Sequence, residues 1–210
     1  MLQKWSLRLM VSLVILGLGA TQAQAQAGEF GFKLGGAMSS LSDLDDTDDI
    51  GSGTGLSGGV FVNVGSTVRG QFELLYTDRK VTSTTEGDDS SISEKFIDIP
   101  LFLAVKPGTG PVRIKLYVGP QLSIKTSCKI SDGTTTLDCT TQSLAANSTM
   151  FSAVGGAALD IALGGVFLEI DARYGLGLTN VIDEVDDTSK CRTFQVFAGL
   201  GIPFGPQPGQ

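Results

Sequence analysis

Two short runs of charged residues have a spacing that could support chemistry. Glu169, Asp171 and Arg173 alternate with apolar residues, and so do Arg113 and Lys115. Because every second side chain of a strand points to the same face, each run gathers its charges on one side. Groups placed in this way can transfer protons, conduct ions or form ion pairs.

The sequence contains no histidine, and this limits the catalytic options. Ser-His-Asp and Cys-His nucleophilic sites, imidazole bases and histidine-ligated zinc are all excluded. A carboxylate pair such as Asp98 and Glu169 could act as general acid and base, but a structural ion pair explains these residues more simply. We therefore expect no enzymatic activity and no cofactor.

The segments that carry these charges alternate between apolar and polar residues over long distances. From Val112 to Ile124 the even positions are almost all apolar, which is typical of a strand with two unlike faces. The run is longer than an average globular strand of about 5–6 residues. It suits a tilted strand across a bilayer, which needs roughly 9–11 residues.

Eight segments of this kind predict an all-β chain. They are Glu29–Ser40, Gly55–Gly65, Val68–Lys80, Lys95–Lys106, Val112–Thr126, Met150–Leu163, Val166–Leu178 and Arg192–Phe204. Short turns at 65–67, 107–111 and 164–165 alternate with long polar loops at 41–54, 81–94, 127–149 and 179–191. This pattern predicts an eight-stranded antiparallel up-and-down transmembrane β-barrel with four long outer loops and three short periplasmic turns. A soluble lipocalin-like binding barrel, with the apolar faces inside, is the alternative.

The barrel interpretation gives the charged residues a role. The apolar faces carry no charge, and a Lys or Arg at the bilayer midplane would cost about 2–4 kcal/mol. The opposite faces must then fill a narrow lumen, where an isolated charge is costly. We predict an interior ion-pair network, with a proton or ion path as the alternative. Its predicted members are Glu73, Asp98, Arg113, Lys115, Glu169, Asp171 and Arg173.

The first residues predict export. Lys4 and Arg8 precede an apolar run and small-x-small cleavage sites, as in a secretory signal peptide. The predicted division is a signal peptide at 1–27, an outer-membrane β-barrel domain at 28–204 and a short C-terminal tail at 205–210. After cleavage the chain has 13 basic and 22 acidic residues, a net charge of −9. This balance argues against nucleic-acid binding.

The loop before the second strand is dense in carboxylates, which calcium prefers as ligands. The candidate ligands are Asp43, Asp45, Asp46, Asp48 and Asp49. Their spacing does not fit an EF-hand, so a solvated acidic loop is the favoured interpretation and calcium the alternative. The sequence Gly53–Gly58 fits G-x-G-x-x-G, but it follows an acidic loop and enters a strand. It therefore lacks the strand-then-helix context of a nucleotide site.

Three cysteines, Cys128, Cys139 and Cys191, lie in the predicted outer loops. An exported protein meets an oxidising compartment, where a disulfide can form. A Cys128–Cys139 bond would close a short loop, whereas a bond from either one to Cys191 would join two loops. We favour Cys128–Cys139, although spacing alone does not determine the pairing.

Four runs within the predicted strands resemble a known family. They are Glu73–Tyr76, Phe96–Leu103, Tyr117–Pro120 and Glu169–Asn180. In order and spacing they are similar to the outer-membrane-protein β-barrel domain family, and to its PorT-like group of small porin-family proteins, from about Phe30 to Phe204. The resemblance implies a bacterial outer-membrane location and an eight-stranded barrel, and it brings no catalytic signature.

The resemblance also implies a route of assembly. Many outer-membrane barrels end on an aromatic residue that the barrel assembly machinery reads. Phe204 has the parity of Ile202 and Leu200 and can serve as that residue, but six residues follow it here.

The predicted function is therefore that of an integral membrane protein of the bacterial cell outer membrane. Loops on a rigid scaffold commonly carry recognition, so we expect a structural, adhesive or envelope-assembly role through the outer loops. The expected partners are outer-membrane lipid, the barrel assembly machinery, other envelope proteins or extracellular ligands, and no nucleic acid. A narrow porin-like channel for small solutes is the alternative, which a filled eight-stranded interior disfavours.

Overall fold

The computed structural model describes residues 27–42, 52–85, 88–108, 110–131, 136–138, 149–179 and 190–205. These residues form nine β-strands: β1 (Gly28–Ser42), β2 (Ser52–Gly65), β3 (Val68–Thr85), β4 (Asp88–Val105), β5 (Val112–Ser131), β6 (Thr136–Asp138), β7 (Thr149–Ala162), β8 (Phe167–Gly177) and β9 (Lys190–Phe204). In this part of the chain, no helix is long and apolar enough to cross a membrane.

Eight long strands close into an antiparallel barrel. Each pairs with its neighbours in the order β4-β3-β2-β1-β9-β8-β7-β5, and β4 pairs with β5 to complete the ring. At the seam, Gly28 of β1 lies opposite Phe204 of β9. Closure leaves none of the eight strands as an edge of the barrel. The predicted eight-stranded architecture is confirmed, and the short β6 adds only a pairing with the far end of β5.

The short turns share one end of the barrel, which we call the inner end; the opposite end is the outer end. Ser66 and Thr67 join β2 to β3, 106–111 joins β4 to β5, and 163–166 joins β7 to β8. Gly65 has a φ of 123° at the first turn, in the region that favours glycine.

The prediction of a long second outer loop at 81–94 is wrong. β3 and β4 stay paired as far as Thr85 opposite Asp88, so only residues 86–87 separate them. Apart from Val81 and Ile92, the segment 81–94 is polar or glycine. It lacks the apolar alternation of a membrane strand, although threonine favours extended backbone. The predicted third loop is also shorter, because β5 continues to Ser131 and β6 follows.

The two faces of the barrel differ in chemistry. Apolar side chains cover the outside, and those more than half exposed include Phe32, Leu34, Leu103, Leu116 and Val118. Buried polar and charged side chains occupy the inside. A soluble barrel would reverse this distribution, so the lipocalin-like alternative is wrong. The outer surface is instead that of a strand barrel in lipid.

Candidate functional site

The middle of the barrel contains a cluster of buried charges, which we call the central ion layer. It consists of Lys33, Glu73, Lys115, Glu169, Asp171 and Arg173. Each of these side chains is at most 1% exposed. Three carboxylates balance three cations, so the layer is neutral as a unit, as burial of charge requires.

Lys33 is the hub of the central ion layer. Its Nζ lies 2.8 Å from Glu73 Oε1, 2.7 Å from Glu169 Oε1 and 2.9 Å from Asp171 Oδ2. An ammonium group has three N–H donors, and here three carboxylates surround it. Lys115 pairs with the other oxygen of Glu169. Glu169 therefore links Lys33 to Lys115.

Arg173 crosses the lumen. Its Nη1 donates to Glu73 Oε2 at 2.8 Å, and its Nη2 donates to Asp171 Oδ2 at 2.6 Å. Glu73 is on β3 and Arg173 is on β8, which are four strands apart in the ring of eight. This ion pair therefore joins diametrically opposite walls. Tyr117 of β5 adds a hydrogen bond from its hydroxyl to Asp171 Oδ1.

Aromatic rings pack around these charges. The Nζ of Lys33 lies 4.9 Å from the centre of the Phe61 ring, and Cζ of Arg173 lies 4.5 Å from that of Phe197. Cations over ring faces at such distances are stabilised, more so when water is excluded. Gly156 makes room for the ring of Tyr117, because an added Cβ would collide with it. The lumen at this level is filled by side chains.

A second cluster, the inner layer, lies towards the inner end. It consists of Glu29, Arg69, Lys106, Arg113 and Asp160. Glu29 Oε1 is 2.7 Å from both Arg69 Nη1 and Lys106 Nζ, and 3.9 Å from Arg113 Nη2. Lys106 also pairs with Asp160. Strand and turn residues thus tie this end of the barrel together.

A third cluster, the outer layer, lies towards the outer end and is more loosely paired. Arg79 Nη2 is 3.7 Å from Asp98 Oδ2, which also accepts a 2.7 Å hydrogen bond from the Thr77 hydroxyl. Lys125 Nζ donates to Glu94 Oε1 at 2.7 Å. The Lys125 and Glu94 side chains are 14% and 32% exposed, so solvent weakens this pair.

Comparison with known proteins agrees with this architecture. Residues 11–201 match the family model described as "Outer membrane protein beta-barrel domain". The chain belongs to this family. Because members of this family lie in the outer membrane, the apolar outer surface of the barrel contacts lipid. Membership of the PorT-like group and export by a signal peptide stay predictions.

Solved structures share the fold of this family member. Neisserial surface protein A, from Neisseria, is 20% identical with a TM-score of 0.50, over 83% of this chain and 97% of that one. The outer membrane protein OprG from Pseudomonas aeruginosa is 12% identical with a TM-score of 0.54, over 87% of this chain and 98% of that one. No curated protein matches the sequence.

The seven residues predicted for the interior network all lie inside this outer-membrane barrel, but in three separate layers. Five are in the central ion layer, Asp98 is in the outer layer, and Arg113 is in the inner layer next to Glu29. Lys33 and Glu29 were not predicted, because β1 is rich in glycine and serine. The alternation of Phe30, Phe32 and Leu34 with odd-numbered residues was the signal that could have found them.

Several predicted features fall outside the described residues. They are the signal peptide up to residue 26, the calcium candidates Asp43–Asp49, Cys139 and the end of the tail at 206–210. Cys128 is disulfide-bonded, and its partner is not among the described side chains, so the Cys128–Cys139 pairing stays a prediction. Within the described ranges, no group of three or more Asp, Glu or Cys residues is arranged to hold a metal ion.

Proposed function

We propose that this outer-membrane barrel is a closed, rigid scaffold with a structural, adhesive or envelope-assembly role through its outer connections. The observation that carries the proposal is the ion pair between Glu73 and Arg173, 2.8 Å across the lumen between opposite walls. Lys33 and Lys115, which also come from opposite strands, meet at the same carboxylate of Glu169. Solute passage would require these buried ion pairs to separate, which is costly.

Planar-bilayer recording tests the closed lumen. We expect the refolded wild-type protein to give no stable conductance steps. The double variant Glu73→Ala/Arg173→Ala, which removes the crossing pair without leaving either charge alone, is expected to give small steps. Steady steps from the wild-type protein would show that it is a channel and would favour the small-solute alternative.

The role of the outer connections needs a separate measurement. Residues 43–51 and 180–189 connect strands at the outer end and can be replaced by Gly-Ser segments of equal length. We expect cells that display the wild-type protein to adhere to a surface or partner cell, and the replaced variant to lose that adhesion. A matched control replaces residues 107–110 at the inner end and is expected to retain it. If wild-type cells adhere no better than cells without the protein, the adhesive role is wrong.

A further inference from the structure

A small cavity lies inside the barrel between the central ion layer and the outer end. Its volume is about 20 Å³, enough to hold about one water molecule or one hydroxyl group. Its walls come from β5, β7, β8 and β9, with one side chain from β3 across the lumen. Gly175 and Gly177 of β8 line it and contribute no side chain, which leaves the space open.

Polar groups in this cavity have unused hydrogen-bonding capacity. Arg79 Nε, Gln121 Oε1 and Gln195 Nε2 are buried atoms that have no hydrogen-bond partner among the described residues. These side chains belong to residues that are 8%, 5% and 3% exposed. Buried polar atoms without partners are rare in folded proteins, so we expect a small group in this cavity that can hydrogen-bond to all three atoms.

The types of these atoms restrict the ligand. Arg79 Nε and Gln195 Nε2 are donors, whereas Gln121 Oε1 is an acceptor. A hydroxyl group both accepts and donates and therefore satisfies all three, but a fully deprotonated anion such as sulfate satisfies only the donors. Asp98 lies 3.7 Å from Arg79 and offsets its charge, so the cavity does not require a charged ligand.

The charge of the outer connections also disfavours anions. Residues 43–51, 86–87, 132–148 and 180–189 together contain 12 acidic residues and no basic one. Acidic residues in these connections repel approaching anions. An uncharged ligand is not repelled.

We propose that this cavity binds a terminal hydroxyl group of an uncharged polyol or sugar that enters from the outer end. The pocket lies in the lumen and goes beyond the proposed function, because it does not depend on what the outer connections recognise. Gln121 and Gln195 fix the position of the hydroxyl group, and Arg79 donates from the opposite wall.

Glycerol is a suitable probe for the refolded full chain in detergent micelles. We expect the side-chain amide NMR signals of Gln121 and Gln195 to shift with glycerol concentration and to reach a plateau. The variant Gln195→Met, which keeps the volume but removes the donor, is expected to lose the plateau in the remaining Gln121 signal. Migration of the unboiled sample on a denaturing gel shows whether each variant is folded.

A second variant separates binding from folding. Gly175→Ala places a methyl group in the cavity, where its nearest contact is Val154 Cγ2 at an ordinary 3.5 Å, and saturable binding is expected to be lost. The matched control Gly70→Ala has nothing within 4 Å of the new methyl group and is expected to bind glycerol like the wild type.

Two results would overturn the proposal that this cavity binds a hydroxyl group. Shifts that rise linearly with glycerol in the wild type, and equally in Gly175→Ala, would show that the cavity contains water only. Saturation by sodium phosphate at concentrations where glycerol gives no plateau would show that it is an anion site.

Discussion

Lys33 offers the sharpest test of the central ion layer. Lys33→Met keeps most of the side-chain length but removes the ammonium that contacts Glu73, Glu169 and Asp171 within 2.9 Å. Three buried carboxylates then face only Lys115 and Arg173. Removal of one partner from a buried ion pair costs about 3–5 kcal/mol, a large fraction of the roughly 5–15 kcal/mol that stabilises a typical protein. We expect a loss of this size in the free energy of unfolding.

The assay is urea unfolding in lipid vesicles, followed by circular dichroism and by gel migration without boiling. Tryptophan fluorescence is unsuitable because the single tryptophan, Trp5, lies in the predicted signal peptide. Lys129→Met removes an exposed lysine and should change stability by less than about 0.5 kcal/mol.

A double variant tests whether the lost charge balance causes the loss of stability in Lys33→Met. Lys33→Met/Glu169→Gln leaves two carboxylates and two cations in the central ion layer. The coupling between the two changes should be about 0.5–3 kcal/mol in the favourable direction. Two results would refute the view that these charges stabilise the barrel as a neutral unit. One is a free energy of unfolding for Lys33→Met equal to that of the wild type. The other is a loss in the double variant equal to the sum of the two single losses.

Three further outcomes are expected. Val118→Arg lies midway along the apolar face of β5 and should cost about 2–4 kcal/mol in vesicles, measured by the same unfolding assay; a neutral effect would contradict lipid contact at this position. Gly201→Val drives a side chain into the Phe167 ring and should cost about 1–3 kcal/mol by overpacking, so unchanged stability would show that the ring moves freely. Peptide mapping without reductant should recover Cys128 linked to Cys139, and a link from Cys128 to any other cysteine would show that this pairing is wrong.

The strands that could be predicted from the sequence are those with a clean apolar face. Between Val112 and Ile124 the alternation continues through the bilayer-facing part of β5, and the structure keeps every one of these apolar side chains on the outside. By contrast, the segment 81–94 has only two isolated apolar residues, Val81 and Ile92, and no regular alternation. Periodicity therefore could not distinguish a loop from a hairpin that extends beyond the membrane.

The ion pairs could be predicted as a set but not as partners. Parity places Glu73 and Arg173 on inward faces, but their contact depends on how the closed ring brings β3 opposite β8. Strand tilt and stagger fix that relation, and neither is encoded in the local pattern. The hub, Lys33, was missed because glycine weakens the apolar pattern of β1.

The seam between β1 and β9 has a consequence for biogenesis. Gly28 pairs with Phe204. The first residue of β1 can therefore form its strand pairing only when the last residue of β9 is present. The barrel cannot close while the C-terminal part of the chain is still being synthesised. Pairing over such a sequence separation is intrinsically slow, and until it occurs both β1 and β9 have open edges that can aggregate. A protein with this seam depends on protection of its unfolded form from synthesis until it reaches the membrane.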